Sequence, residues 1–157
     1  MTDNRDTFWK RLEGINAGML GAEPDWRLVP MSHYAEPETA TLWFITAAGT
    51  DLVESVEGGA KKAVHAVGEG DGQLYARIEG KLELSNDKAK LDEVWNAVAS
   101  SWFGNDERDP DVRLLKFTMS EAEVWTTAGR IGFFYEIAKS KITGAKPDTG
   151  DHFTVSF

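Results

Sequence analysis

The chain has 157 residues, of which 41% are hydrophobic and 27% are charged, which is typical of one globular domain and excludes a disordered or fibrous protein. The 26 acidic side chains outnumber the 17 basic ones, and the net charge of −9 disfavours nucleic acid and anionic membranes as partners. The sequence contains no cysteine, which excludes disulfides, thiolate catalysis and cysteine-ligated zinc. A polar N-terminal segment and the lack of a long apolar run predict a soluble, cytoplasmic protein.

The first predicted elements are a helix and two extended segments. Apolar residues at helical spacing predict an amphipathic helix over about residues 3–16. The segment Trp26–His33 is predicted to be extended, and Pro30 places it at a sheet edge or a bulge because proline cannot donate a ladder hydrogen bond. Thr41–Thr46 is an apolar run rich in aromatic and β-branched residues, which predicts a buried strand.

The middle of the chain predicts a short helix and two strands. Thr50 or Asp51 can cap the helix, and a glycine pair ends it. A strand over Lys62–Val67 follows, and a glycine-rich turn leads to Leu74–Ser85, where apolar and polar residues alternate. Gly80 interrupts the inward-facing set, which indicates a sharp bend or a close approach of another group to the backbone.

In the last third of the chain, apolar residues first follow helical spacing and then form strand-like runs. An apolar stripe from Asn86 to Trp102 predicts a long helix. Two strands are predicted over Val112–Met119 and Glu123–Thr127, followed by a helix over about residues 130–143.

Six or seven strands with helices at the start, middle and end do not show the strict alternation of a parallel doubly wound sheet. The pattern favours an α+β fold in which a small, mostly antiparallel barrel carries peripheral helices. We expect residues 1–157 to form one such domain.

The sequence shows no self-contained catalytic motif. His33, His65 and His152 are far apart in the chain and lack the spacing of metal ligands, so no metal site is predicted and His65 is interpreted as a structural histidine. The glycines at 68–72 precede a strand rather than a helix, which indicates a hairpin turn and not a phosphate-binding loop. This pattern points to a bound organic cofactor or to a purely binding role.

Short motifs occur in a characteristic order along almost the whole chain. They are Leu42–Thr46, Ile78–Leu82, Glu93–Trp95, Trp102–Gly104, Asp109–Pro110, Ala122–Trp125 and Ile137–Gly144. In this order the chain resembles the pyridoxamine 5′-phosphate oxidase-like split-barrel proteins that bind flavin mononucleotide (FMN), and specifically the general stress protein 26 branch. The resemblance implies a homodimeric six-stranded split barrel with FMN in a groove between the subunits.

The resemblance also implies where the flavin lies. The strand with Pro30 would run beside the isoalloxazine ring, and the next strand would end near the ring and the ribityl chain. The hydroxyl of Thr50 would donate to the phosphate, and two aromatic residues of the partner subunit would help close the groove. In chain order, the residues assigned to the flavin in this way are Val29, Pro30, Met31, Ile45, Thr46, Thr50, Trp102 and Phe103.

Two positions depart from the family pattern. Val29 and Leu52 stand where the family commonly has an arginine and a lysine that pair with the ring or the phosphate. Since charge-assisted hydrogen bonds to phosphate are strong, their loss predicts weaker FMN binding. Arg27, Lys61 or Lys62 is a possible substitute, and strand alternation favours Arg27 because it would share a face with Val29.

The leading function is therefore flavin-dependent redox chemistry on an unidentified small substrate, in which the cofactor supplies the reactivity. A non-catalytic binding or sensing protein that has lost the flavin is the alternative. A third possibility is haem binding, which would require an axial ligand such as His33. Oxidation of pyridoxamine 5′-phosphate itself is expected to be absent or very weak, because no basic cluster is placed to bind a second phosphate.

Overall fold

One antiparallel β-sheet closes on itself in the computed structural model, which describes residues 3–68, 74–99, 110–126 and 152–157. The strand order is β3-β2-β1-β4-β5-β6-β7, and pairing of β3 with β6 closes the first six strands into a barrel. The strands are β1 (Ala17–Ala22), β2 (Val29–Glu36), β3 (Thr41–Ala47), β4 (Lys61–Gly68), β5 (Leu74–Ser85), β6 (Val112–Thr126) and β7 (His152–Ser156). The predicted α+β fold with a six-stranded antiparallel barrel is confirmed.

The described residues contain three α-helices: α1 (Asn4–Leu12), α2 (Asp51–Val56) and α3 (Lys88–Val94). α1 is shorter than predicted. α3 passes into five residues of π-helical geometry, Trp95–Ala99, so the expected uniform helix is wrong at this point. The rest of that predicted helix and the predicted helix over residues 130–143 lie outside the described residues.

Several strand predictions need correction. β1 is glycine- and alanine-rich and was not predicted at all. β2 begins only at Val29, because Trp26 has a φ of 56° and lies outside the extended region. The two strands predicted after residue 111 are one continuous strand, β6. It stays continuous because its first half pairs with β3 and its second half with β7, while β5 runs along both halves.

The backbones of β5 and β6 approach closely at Gly80. The register between the two strands shifts between Glu79 and Gly80, as in a β-bulge. A Cβ atom at Gly80 would lie 2.2 Å from the carbonyl oxygen of Thr118. The close approach that the sequence predicted is therefore confirmed, and glycine is required there.

Alternating side chains of the barrel strands form the core, together with the apolar faces of α1 and α2. A smaller cluster outside the barrel joins Trp43 and Leu114 to Val94 of α3. The largest fully buried side chains include Phe8, Phe44, Phe117, Leu12, Leu20, Leu42, Leu74, Ile78, Leu82, Leu114 and Leu115.

The barrel is split between β2 and β3. Residues 29–32 of β2 pair with β1, whereas the pairing of β2 with β3 covers only residues 33–36. The last residues of β3, Ile45–Ala47, pair with β6 instead. The first half of β2 therefore has an open side facing α2, and Pro30 lies in this half, in agreement with its predicted position at a local edge.

Candidate functional site

A cavity of about 400 Å³ lies at this split, between the first half of β2, the end of β3 and the start of α2. Its volume is within the usual range for small-molecule sites. The residues that line it are Ala22, Asp25, Arg27, Val29, Pro30, Met31, Thr46, Thr50, Asp51, Leu52 and Ser55. Most of the residues that the sequence assigned to a flavin thus lie around one cavity.

One wall of the cavity is apolar. Val29 and Met31 are half-buried and pack against the barrel core, and Pro30 between them is exposed. These three consecutive β2 residues offer an apolar surface without a charged group. A planar aromatic group such as an isoalloxazine ring fits a wall of this chemistry.

The opposite end of the cavity is polar and carries one cation among its described lining residues, Arg27. The guanidinium Nη1 lies 2.6 Å from Oδ2 of Asp51, with both side chains more than half exposed. Asp25 also lines the cavity, and its Oδ1 accepts a hydrogen bond from the Arg27 backbone N–H at 3.0 Å. With two carboxylates and one guanidinium, this end of the cavity does not favour a phosphate unless the ion pair between Arg27 and Asp51 breaks.

Arg27 reaches the cavity, but not by sharing a strand face with Val29 as predicted. Arg27 precedes β2 and so has no strand face. Its direction is set by the loop, in which Asp25 holds the backbone, and by the ion pair with Asp51.

The hydroxyl of Thr50 is already used as a donor. Thr50 occupies the position before the first residue of α2, and its Oγ1 donates to the carbonyl oxygen of Ala47 at 2.9 Å. A hydroxyl has one hydrogen to donate, so donation to a phosphate would require this bond to break. In the present arrangement Thr50 offers a ligand only acceptor lone pairs.

Leu52 belongs to the hydrophobic core as well as to the cavity wall. It is 5% exposed and shares the core cluster with Val56. The position therefore serves packing, and a lysine there would bury its stem and its charge among apolar side chains.

The other predicted site residues lie elsewhere. The side chain of Ile45 packs against the cluster around Trp43 and is not among those that line the cavity. Trp102 and Phe103 fall outside the described residues. Of the two lysines considered as substitutes, Lys62 lines a different cavity on β4, and Lys61 lines neither.

Sequence reasoning missed Asp25 and Asp51 as parts of the site. Asp51 was recognised only as a candidate cap, because its contact with Arg27 joins positions 24 residues apart and no local spacing indicates it. Asp25 lies in the loop before β2, where periodicity carries no information.

Two histidines that are distant in sequence meet in the core. Nδ1 of His33 is 3.0 Å from Nε2 of His65, and Nε2 of His33 is 2.8 Å from the carbonyl oxygen of Ile15. Burial lowers the pKa of His33, and burial together with the nearby His33 lowers the pKa of His65 to about 3. Both ring nitrogens of His33 are occupied, so it does not present the axial ligand that haem binding requires.

Two other kinds of functional feature, a metal site and a membrane-spanning helix, were sought among the described residues. Among the residues that the structure describes, no three or more histidine or carboxylate side chains come together as a metal site. In the same ranges, no helix has the length and apolar character needed to cross a membrane.

Comparison with known proteins agrees with the fold. A family model described as pyridoxamine 5′-phosphate oxidase like matches residues 3–148, whereas a search of curated proteins gave no match. A solved structure assigned as general stress protein 26 from Jannaschia sp. CCS1 is 44% identical, with 100% of both chains covered and a TM-score of 0.82. A general stress FMN/FAD binding protein from Xanthomonas citri is 27% identical over 78% of this chain and 87% of that chain, with a TM-score of 0.67. The chain therefore belongs to the pyridoxamine 5′-phosphate oxidase-like family.

Proposed function

We propose that this chain binds a flavin in the cavity at the barrel split and uses it for redox chemistry on a small substrate. The observation that carries the proposal is the convergence of β2, β3 and α2 residues on one cavity with an apolar wall and a polar end. A bound flavin would supply the electron transfer itself, which agrees with the absence of a catalytic motif from the sequence.

Each part of the cavity has a distinct role in this proposal. Val29, Pro30 and Met31 hold the ring and exclude water from one side of it. Thr46 and Thr50 offer hydroxyl oxygens at the end where the ribityl chain would lie. Arg27 is the cation available to a phosphate once Asp51 releases it.

The comparison with Xanthomonas citri supports this proposal. That protein is described as FMN/FAD binding and shares the fold at 27% identity. Its flavin binding is a property of that protein, and the cavity at the split is the feature of this chain that suggests the same ligand.

We further propose that the chain forms a homodimer through the outer face beside the cavity. Met19 and Leu28 are 39% and 47% exposed, and Leu28 packs over Gly21 of β1. Large apolar side chains exposed together on one face favour a protein partner, and symmetric dimers are the commonest oligomers. Sedimentation at micromolar concentration tests this, since the mass of a single 17.4 kDa chain would contradict it.

The Arg27–Asp51 ion pair favours a second candidate, a binding or sensing protein that works without flavin. Because Arg27, the one cation among the described residues at the polar end, is already paired, the cavity in its present form gives little attraction to a phosphate. An uncharged ligand would then occupy the same apolar wall.

The visible spectrum of the purified protein separates the two candidates. Flavin absorption bands, or saturable quenching when FMN or riboflavin is added, would support the first. Val29→Glu places a charge on the apolar wall and should abolish binding. Val112→Glu alters another half-buried strand valine that does not line the cavity, and it should bind as the wild type does. A colourless protein that ignores both flavins would exclude the redox proposal.

A further inference from the structure

A second and larger cavity, of about 760 Å³, lies on the outer face of β4, β5 and β6. The residues that line it are Trp26, Lys62, Ala63, Val64, Arg77, Glu79, Gly80, Lys81, Thr118, Met119 and Ser120. Three of these side chains are cationic and one is a carboxylate, on a protein whose net charge is −9. Its local charge is thus opposite to that of the whole chain.

The strand register sets two of these cations against each other. Lys62 on β4 and Lys81 on β5 are directly opposite partners. Like charges at directly opposite positions of an antiparallel pair are destabilising. An anion between the two ammonium groups would convert this repulsion into two favourable contacts.

The side chains around Lys62 and Lys81 leave their ammonium groups available to a ligand. The lining carboxylate, Glu79, pairs with Arg77 at 2.5 Å. Within the described ranges, neither Lys62 nor Lys81 makes an ion pair. The two ammonium groups are therefore free to meet a ligand.

A hydroxyl continues the row of lysines across the sheet. Thr118 on β6 is the register partner of Lys81, and its exposed side chain has no hydrogen-bond partner among the residues described. Lys62, Lys81 and Thr118 thus present two cations and one hydroxyl donor along a single line. This is the donor set that a carboxylate or phosphate group accepts.

Trp26 forms an aromatic wall at the same cavity. The residue is 44% exposed, and its backbone has a φ of 56°. Left-handed backbone conformations are costly for a bulky residue and cluster at ligand sites. The exposed indole can pack against the planar or apolar body of a ligand.

We propose that this cavity binds a small organic molecule with an oxyanion group, which lies between Lys62 and Lys81 while the body of the molecule packs against Trp26. The site is separate from the cavity at the barrel split and does not depend on flavin. Its ligand class is defined by the shared chemistry of carboxylates and phosphates.

Phenyl phosphate and benzoate, titrated separately while amide shifts are recorded by NMR, test the proposal. We expect saturable shifts at Lys62, Lys81 and Thr118, with phenyl phosphate binding tighter if the site suits a phosphate and benzoate tighter if it suits a carboxylate. Lys62→Gln and Lys81→Gln should each weaken binding about tenfold, the loss of one charge-assisted contact. Lys61→Gln removes a charge next in sequence that does not line the cavity, and it should leave binding unchanged.

The role of the indole is tested with Trp26→Asn, because asparagine tolerates a positive φ. We expect this variant to bind phenyl phosphate no more tightly than inorganic phosphate, whereas the wild type prefers phenyl phosphate. The proposal is overturned if neither probe gives saturable shifts in the wild type, or if Lys61→Gln weakens binding as much as the other two lysine variants do.

Discussion

His33 and His65 form a hydrogen-bonded pair whose proton positions follow from its surroundings. The carbonyl oxygen of Ile15 can only accept, so Nε2 of His33 carries the hydrogen that bridges the 2.8 Å gap. Neutral His33 then accepts at Nδ1, and Nε2 of His65 donates to it across 3.0 Å. Nδ1 of His65 is left as a bare acceptor, buried and without a partner among the described residues. A proton on Nδ1 of His33 would break the bond from His65, whereas a proton on Nδ1 of His65 would bury a charged N–H that has no acceptor among the described residues.

Acid should destabilise the protein through this pair. Burial lowers the pKa of His65 from 6.5 to about 3, so the unfolded chain takes up a proton more readily than the folded one. The contribution to stability is complete above about pH 6.5 and is lost as the pH falls towards 3. His65→Gln keeps an N–H donor but cannot titrate, so its free energy of unfolding should fall about 2 kcal/mol less than that of the wild type between pH 6.5 and 5.

Urea unfolding at several pH values measures this difference, and His152→Gln is the matched control. His152 is exposed and stacks on Trp125, so the same substitution there leaves the buried His33–His65 pair and its acid sensitivity in place. Equal slopes for wild type and His65→Gln would contradict the assignment of acid sensitivity to the buried pair.

Gly80→Ala should destabilise the barrel by about 3 kcal/mol, because the added methyl group would meet the Thr118 carbonyl and the backbone must move. Gly58→Ala is the control, since no atom lies within 4 Å of the corresponding methyl position. Thermal and urea unfolding of both variants give the comparison. A Gly80→Ala protein as stable as Gly58→Ala would show that β5 and β6 do not approach as described.

Leu52→Lys should destabilise the fold by at least about 3 kcal/mol, because it places an ammonium group at a core position that is 5% exposed. Leu52→Met preserves volume and apolarity and should cost less than about 1.5 kcal/mol. The family pattern leads to the opposite expectation, that a lysine at position 52 strengthens FMN binding. Thermal unfolding and flavin titration of both variants test the two expectations. Tighter FMN binding by a stable Leu52→Lys protein would show that position 52 can face the ligand.

Asp51→Asn should shift the preference of the cavity towards FMN over riboflavin by about threefold to tenfold. The change frees Arg27 for the phosphate, although solvent screening limits the gain because the ion pair is exposed. Riboflavin lacks the phosphate, so its affinity should not change. Asp25→Asn removes a carboxylate that accepts from the Arg27 backbone N–H rather than from its guanidinium, and it should shift the preference less. Isothermal titration with both flavins gives the ratio of FMN affinity to riboflavin affinity. The same ratio in Asp51→Asn as in the wild type would show that Asp51 does not keep Arg27 from the phosphate.

Sequence patterns were sufficient to locate strands that have a regular alternation or a continuous run of apolar residues. The alternation over Leu74–Ser85 and the apolar run at Thr41–Thr46 give strands within a residue of their observed bounds. β1 escaped prediction because it consists of glycine, alanine, methionine and leucine, without the β-branched residues that indicate a strand. Its small side chains are needed where a Cβ at Gly18 would lie 2.5 Å from the Ala66 carbonyl.

The candidate site was predicted only in part, because some of its residues are adjacent in sequence and others meet only in the folded chain. Val29, Pro30 and Met31 are consecutive, so a single local motif identifies them together. The contacts of Arg27 with Asp51 and of His33 with His65 join positions 24 and 32 residues apart. Such contacts depend on how the strands close into a barrel, which no local spacing encodes.

The split between β2 and β3 also bears on how this protein can evolve. Among the described residues, all those that line the cavity at the split come from the continuous segment Ala22–Ser55, while barrel closure depends on the distant pairing of β3 with β6. Exposed cavity residues such as Arg27 and Asp51 can therefore be replaced at little cost to the barrel. Ligand preference can drift through a few such replacements while one scaffold persists, and related split barrels can come to hold different molecules in the same place.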